Sequence, residues 1–450
     1  MILKIIKKMT EKIFAYSWFV DDTEDEICSI RVYGKNNKRE NVCLRIQDFT
    51  PYVYIELPAN IEWTASKAQI VGDKLDEFLG RKRPLKKCLV MKEFLYQARL
   101  DKNNKRRLFP FLFCSFSNRK DVKNLGYKLQ KDINIYGIGK IRLKVHEQDA
   151  DEILQLTCCR NIPITGWIQF KGLEVEEVDK ITRCDKEYKV KYKTLSNFDS
   201  NELAPIKFMA YDIEVNSSNP NAMPEYKKEK DRIFQFSCVF WEIGKEGCDR
   251  YLLSLGQPDP DIVGPCKIRT FLCEADLLVG FTTLINELNP NVISGYNIFT
   301  FDIPYCIERA KMTLCMSNFD IQGFTKFSHS KEKTIKWSSK AYGNQEFQFL
   351  DAEGRIFIDL LPLVRRDFKF NKYTLKFVST YFLGETKDPL SVKGIFKCYR
   401  IGIQNDKGVY SKRAKKAMGI CGKYCIQDSM LVYRLMEKIQ TWIGLCESAK

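Results

Sequence analysis

Residues 207–215 read KFMAYDIEV, a run of apolar and aromatic residues interrupted by two acids. In an extended strand successive side chains point to opposite faces, so residues two apart share one. Asp212 and Glu214 therefore project together, while Ile213 turns into the core. Two acids side by side at the end of an apolar strand repel each other unless cations lie between them. Magnesium takes oxygen ligands and keeps water and phosphate oxygens in its shell. Among 57 acidic residues, one Asp-x-Glu is equally compatible with a solvated strand end.

Working outward, residues 206–450 carry an α/β pattern. IFQFSCVFWEIG and CDRYLLSLG are strands, EADLLVGFTTLINEL is an amphipathic helix, and NVISGYNI is a strand followed by a turn. IPYCIERAKM is a helix with Pro304 in its first turn, where the missing N–H costs nothing. KTIKWSSKAYGNQEFQFLDAEGRIFIDL is a hairpin leading into another strand, and NKYTLKFVSTYFLG is a helix stopped by Gly384. KAMGICGKYCIQDSMLVYRLMEKIQTWIGLCES is one long helix with an early pair of glycines.

Two further elements bear acids. In GYNIFTFD, residues 295–302, a strand runs into a glycine turn and Asp302 stands at the start of the next helix. An ordinary helix N-cap and a metal ligand both fit Asp302, and the two roles are compatible. In YCIQD, residues 424–428, Tyr424 and Asp428 are four apart and share a helix face. An amphipathic helix with a buried Tyr and an exposed Asp is the plain alternative. The three elements follow the order strand, turn-to-helix, late helix within one α/β domain. Four carboxylates gathered at one sheet edge match a two-magnesium site, in which one metal activates a water and the other stabilises the departing 3′ oxygen.

These segments resemble the three exonuclease motifs of family B DNA polymerases: YDIEV, then NPNVISGYNIFTFDIPY, then KYCIQDSMLVYRLMEK. FLCEADLLVGFTTLINELNP resembles the run before the second motif, LRIQDFTPYVYIELP the N-terminal domain and APIKFMAYDIEV the domain junction. The likeness covers roughly residues 30–450 and is nearest to the delta-type enzymes of eukaryotes and their large DNA viruses. It implies a ribonuclease H-like exonuclease domain with a mixed sheet flanked by helices. Asp212, Glu214, Asp302 and Asp428 would hold two Mg2+ ions, with Mn2+ as a substitute. Tyr424 marks the tyrosine subclass and would orient the attacking water through its hydroxyl. Asn297 and Phe301 resemble positions lining the single-strand cleft, and Phe299 is either a base-stacking aromatic or a core one.

Composition agrees with a polyanionic partner. The net charge is +16, from 73 basic and 57 acidic residues. Arg81, Lys82, Arg83, Lys86 and Lys87 cluster, as do Lys102, Lys105, Arg106 and Arg107, and Lys412, Arg413, Lys415 and Lys416. Each cluster is either a backbone-tracking patch or a solvated loop. The 17 cysteines lack the paired spacing of a zinc site and read as reduced thiols, mostly small core residues. His146 and His329 are the only histidines and read as surface residues, which leaves hydrolysis to carboxylates and metal ions. MILKIIKKMT has too short an apolar run for a signal peptide; Met9 is a candidate start with Met1 to Lys8 an extension. No run of about 18 apolar residues exists, so no membrane partner is expected.

Residues 1–205 read as a mainly β N-terminal domain ending in a polar, strand-poor linker from 179, and residues 206–450 as the 3′→5′ exonuclease domain. DADEILQLTCCRN is a helix with acids in its first turn, and AQIVGDKLDEFLGRK one that ends at Gly80. The family's polymerase motifs, Asp-x-x-Ser-Leu-Tyr-Pro and Tyr-Gly-Asp-Thr-Asp-Ser, do not occur in these residues. The resemblance therefore implies proofreading hydrolysis of primer 3′ ends during DNA replication. It also implies as partners DNA, the polymerising domains or a second chain carrying them, and a sliding clamp. The expected location is intracellular, in the nucleus or at a viral replication site. A catalytically silent DNA-binding or scaffolding part of a split polymerase is the alternative, and an RNA-processing nuclease of the same superfamily a third reading.

Overall fold

The computed structural model describes residues 10–21, 27–93, 100, 102–313, 319–326, 329–339, 343–385, 390–403 and 410–449. The candidate start at Met9 and its extension lie outside them. Backbone contacts divide the chain into two compact units: Met1–Gly34, Val42–Val178 and Lys186–Ser200 form the first, and Lys35–Asn41, Asp179–Asp185 and Asn201–Lys450 the second.

The first unit runs β1 (Thr10–Asp21), β2 (Ser29–Lys35), β3 (Asn41–Ile46), β4 (Tyr52–Glu56), α1 (Ala65–Leu79), β5 (Lys86–Lys92), β6 (Phe109–Ser115) and α2 (Arg119–Lys128). It continues through β7 (Ile133–Ile135), β8 (Gly139–Ile141), β9 (Lys144–His146), α3 (Glu152–Arg160), β10 (Gly166–Glu174), β11 (Lys186–Val190) and β12 (Ser196–Asn197). One sheet has the order β1-β2-β3-β11-β10-β12, and β1 also pairs with β10, so five strands close on themselves. Closure removes the unpaired edges an open sheet leaves. Ile13, Ile30, Leu44, Ile168 and Phe170 fill its core. A second sheet, β5-β6-β4-β9, packs Val53, Ile55 and Leu112 against Val71 and Leu75 of α1 and Leu125 of α2. The linker expected to be strand-poor contains β11, whose Val190 is buried and whose Lys189 is exposed. His146 also differs from expectation, being half-buried with Nε2 2.9 Å from Glu56, whereas His329 is exposed.

The second unit runs β13 (Lys207–Val215), β14 (Ile233–Glu242), β15 (Asp249–Leu255), α4 (Pro260–Val263), β16 (Lys267–Phe271), α5 (Glu274–Leu288), β17 (Val292–Gly295) and α6 (Asp302–Thr313). The hairpin β18 (Lys331–Ser339) and β19 (Gly343–Asp351) follows, then β20 (Ile356–Asp359), α7 (Leu360–Asp367), α8 (Leu375–Leu383), α9 (Val392–Gly402), α10 (Lys412–Lys438) and α11 (Thr441–Ser448). Its mixed sheet has the order β16-β15-β14-β13-β17-β20. β13 pairs antiparallel with β14 and parallel with β17, and β17 parallel with β20. The chain is thus α/β.

Strand β13 lies between two neighbours and is covered on both faces, which is why its sequence is almost continuously apolar. Tyr211 packs on Phe281 of α5, and Phe236, beside Ile213, stacks on the same ring at 4.2 Å. The opposite face meets α10. Ser237 donates to the Cys425 carbonyl at 2.7 Å, and its hydroxyl lies 2.6 Å from that of Ser429; Gln235 donates to the Met418 carbonyl at 3.0 Å. A Cβ at Gly422 would stand 2.4 Å from Leu252 Cδ2, so only glycine lets α10 lie this close to the sheet. The single long C-terminal helix expected from sequence is broken. α10 ends at Lys438, Gln440 adopts a left-handed φ of 50°, and α11 begins at Thr441.

A buried ion pair ties α5 to α6. Arg309 is 1% and Glu274 4% exposed. Arg309 Nε donates to Glu274 at 2.9 Å, its Nη2 makes a second bond to the same carboxylate, and Nη1 donates to the carbonyls of Tyr226 and Lys228 at 2.8 and 3.0 Å. Glu274 also accepts the Ile233 N–H at 2.8 Å. Removing one partner leaves an uncompensated buried charge. Arg309→Ala is therefore expected to destabilise the chain by about 3–5 kcal/mol in urea unfolding. A loss below about 1 kcal/mol, the range of an exposed pair, would contradict this role.

Candidate active site

The site forms where β17 stops. β13 pairs with β17 through Phe208, Met209 and Ala210 only, and β17 ends at Gly295. Asp302, first residue of α6, lies beside that open end: the backbone of Ile213, between Asp212 and Glu214, pulls its carboxyl down against the upward push of burial. A Cβ at Gly295 would meet Ile298 Cγ2 at 2.2 Å and the Tyr211 carbonyl at 3.0 Å, so the turn can hug β13 only with glycine there.

Asp212, Glu214 and Cys425 each offer an atom within 4.8 Å of the others. Burial foremost, then the Glu214 and Asp212 charges, hold the Cys425 thiol well above its usual range. Its neighbour Cys421 is raised by burial and then by Glu214, with Asp212 and Asp428 also contributing. Burial first, then the Asp359 carboxylate, push Asp302 up to about 8, with Asp428 adding in the same direction. The four acids expected from sequence thus share one electrostatic neighbourhood. Glu214, Asp302 and Asp428 are 4–5% exposed, and Asp212 is half-buried. Tyr424, 9% exposed, lies one turn before Asp428 on α10.

Oxygen-rich donors of this density suit a hard divalent cation, since like charges so placed are otherwise mutually destabilising. The thiol of Cys425 does not belong to such a set. It remains protonated and points at the carbonyl of Asp212 at 3.7 Å and at its Oδ2 at 4.0 Å, as a weak donor does. Asp212 and Glu214 are the oxygen donors of that close group, and Asp302 and Asp428 lie outside it.

The residues expected from sequence to line a single-strand cleft sit on the turn before Asp302. Asn297 adopts a left-handed φ of 69°, and its carbonyl accepts the Thr300 and Phe301 N–H groups at 3.2 and 3.1 Å. Phe301 lies 5.5 Å from the Tyr305 ring, and Phe299 packs 5.7 Å from Phe349 of the hairpin. Two residues near the site were missed from sequence. Cys425 reads from sequence only as one of the reduced core thiols. Asp359, 3% exposed, caps α7 and bonds the turn; its position before Leu-Leu-Pro carried the signal of a helix N-cap.

Residues 143–378 match the family model described as DNA polymerase family B, exonuclease domain. DNA polymerase 120R of Invertebrate iridescent virus 3 is 42% identical over 465 residues, covering 99% of this chain and 40% of the relative. The DNA polymerase delta catalytic subunit of Schizosaccharomyces pombe is 26% identical over 439 residues, covering 95% and 38%. The solved family B DNA polymerase from the archaeon Pyrobaculum calidifontis shares the fold with a TM-score of 0.64 at 18% identity, over 95% of this chain and 46% of that one. The chain spans less than half the length of these relatives. Among the described residues, no helix is long and apolar enough to cross a membrane.

If the thiol stands beside the metal donors rather than among them, Cys425→Ser should lower Mn2+ affinity by no more than about tenfold. Asp212→Asn should lower it further. Calorimetric titration of both variants checks the order, and the reverse order would make Cys425 a ligand.

Proposed function

The chain belongs to DNA polymerase family B, and on that premise we propose that it removes nucleotides from DNA 3′ ends by metal-dependent hydrolysis, the proofreading arm of a replicative polymerase. What supports this reading is that Asp212 and Glu214 lie together on β13, that Asp428 on α10 raises Asp302 on α6, and that Glu214, Asp212 and Asp428 all raise the Cys421 thiol. The four carboxylates hold two divalent cations, Mg2+ or Mn2+. When bound, these supply the positive charge that stabilises both the attacking and the departing oxygen of an in-line displacement.

The protein's own groups then do the positioning. Tyr424 orients the attacking water through its hydroxyl. Asn297 and Phe301 line the path of the single strand. Phe299 borders an apolar cavity of about 500 Å³ that Phe347, Phe349, Phe357 and Pro362 also line. Such aromatic walls stack on an unpaired base without regard to sequence. The positive balance of the chain favours a phosphate backbone as partner. By the same reading, residues 1–205 form the N-terminal domain and 206–450 the exonuclease domain. The polymerising domains, a sliding clamp and a nuclear or viral replication site belong to the whole enzyme.

The test is degradation of 5′-labelled single-stranded or frayed DNA. Hydrolysis from the 3′ end is expected with Mg2+ or Mn2+, and none with a chelator. The double variant Asp212→Ala with Glu214→Ala should lose at least about a thousandfold in rate, some 4 kcal/mol of transition-state stabilisation. Full activity in that variant would refute the assignment. DNA binding without cleavage in the parent chain, relieved only by adding a second chain, would instead identify a scaffolding part. Preference for RNA would identify a processing nuclease.

A further inference from the structure

We propose that Asp359 is a positioning residue of this site, one that holds the turn 295–302 in the conformation that delivers Asp302 to β13. The inference rests on the nuclease reading for its functional consequence, but its geometry stands by itself. The parallel register of β17 and β20 sets Gly295 opposite Asp359, at the point where β17 ends. There the Asp359 carboxylate reaches across and grips the turn at two places. Oδ1 accepts the Asn297 N–H at 2.7 Å, and Oδ2 accepts the Phe299 N–H at 3.0 Å. Oδ1 also accepts the Leu361 N–H at 3.0 Å, so the same group caps α7.

The gripped residues are those the turn most needs held. Asn297 sits in the left-handed region, which Asn tolerates better than other residues with a Cβ but still at some cost. Phe299 stands three residues before Asp302. Between them the chain tightens through Asn297-to-Phe301 and Ile298-to-Ile303 hydrogen bonds, the latter 2.9 Å. Hydrogen bonds to an ionised acceptor are the stronger kind, and this one is buried. Loss of the carboxylate leaves two part-buried N–H groups of the turn without that acceptor. The turn then relaxes, and with it the ligand that it presents. Its bonds go to the backbone of the turn and of α7, so on this proposal Asp359 acts through Asp302.

Variants Asp359→Asn and Asp359→Ala in the 450-residue chain test this. Mn2+ binding is read directly by electron paramagnetic resonance, and exonuclease kinetics are measured against both Mn2+ and DNA. The Ala variant should raise the Mn2+ midpoint at least about tenfold, the effect of losing support behind a ligand. Excess Mn2+ should restore part of kcat, with KM for DNA within about twofold. The Asn variant keeps the Oδ1 bonds but turns an amide N–H toward Phe299, so its shift should be smaller and in the same direction. Faster amide exchange at Asn297 and Phe299 should accompany it. A purely structural residue would lower the melting temperature and leave the Mn2+ midpoint in place; that result in folded Asp359→Asn overturns the proposal, and it decides the matter if the Ala variant does not fold. A parent chain that binds Mn2+ without cutting DNA would sink the nuclease reading alone, while a parent that binds no Mn2+ would sink both.

Discussion

Carboxylates confined together away from water repel one another, and the second unit is organised around tolerating that repulsion. Asp302 registers it most clearly, its carboxyl held at about 8 by burial, by Asp359 and by Asp428. On the proposed nuclease reading, divalent cations would relieve that repulsion. Everything around the site can be understood as support that keeps acids from drifting apart.

That support comes from four directions. From below, β13 fixes Asp212 and Glu214 on one face by strand periodicity. From the side, the Arg309–Glu274 pair locks α6 to α5 and to the loop before β14. From above, the Ser237–Ser429 contact and the Ser237 bond to the Cys425 carbonyl hold α10, which carries Tyr424 and Asp428, on the sheet. From beyond the sheet edge, Asp359 clamps the turn. None of these contacts is chemically exotic; each satisfies a backbone or side-chain group that burial would otherwise strand.

Local patterns were legible in the chain itself. The Asp212/Glu214 pair follows from a period of two, and the Tyr424/Asp428 pair from a helical i,i+4 spacing. The helix ends at Gly80 and Gly384 were marked by glycine, which takes positive φ freely. What depends on partners far apart in sequence was not legible. Asp359 acts on Asn297 only because two parallel strands bring them side by side, and the buried Arg309–Glu274 pair spans 35 residues. β11 was lost because its two lysines and its glutamate resemble a polar linker, and its pairing with β3 is long-range. The break at Gln440 was lost because an apolar run on either side reads as one helix.

The central claim is that the four acids form one metal-binding centre. The most direct measurement is a crystal structure of the chain grown with Mn2+ and a short single-stranded oligonucleotide, with the metal located by anomalous scattering. The account predicts two anomalous peaks bounded by the carboxylates of Asp212, Glu214, Asp302 and Asp428, with the terminal phosphate between them. Peaks elsewhere on the surface, or carboxylates splayed apart with no metal among them, would contradict it.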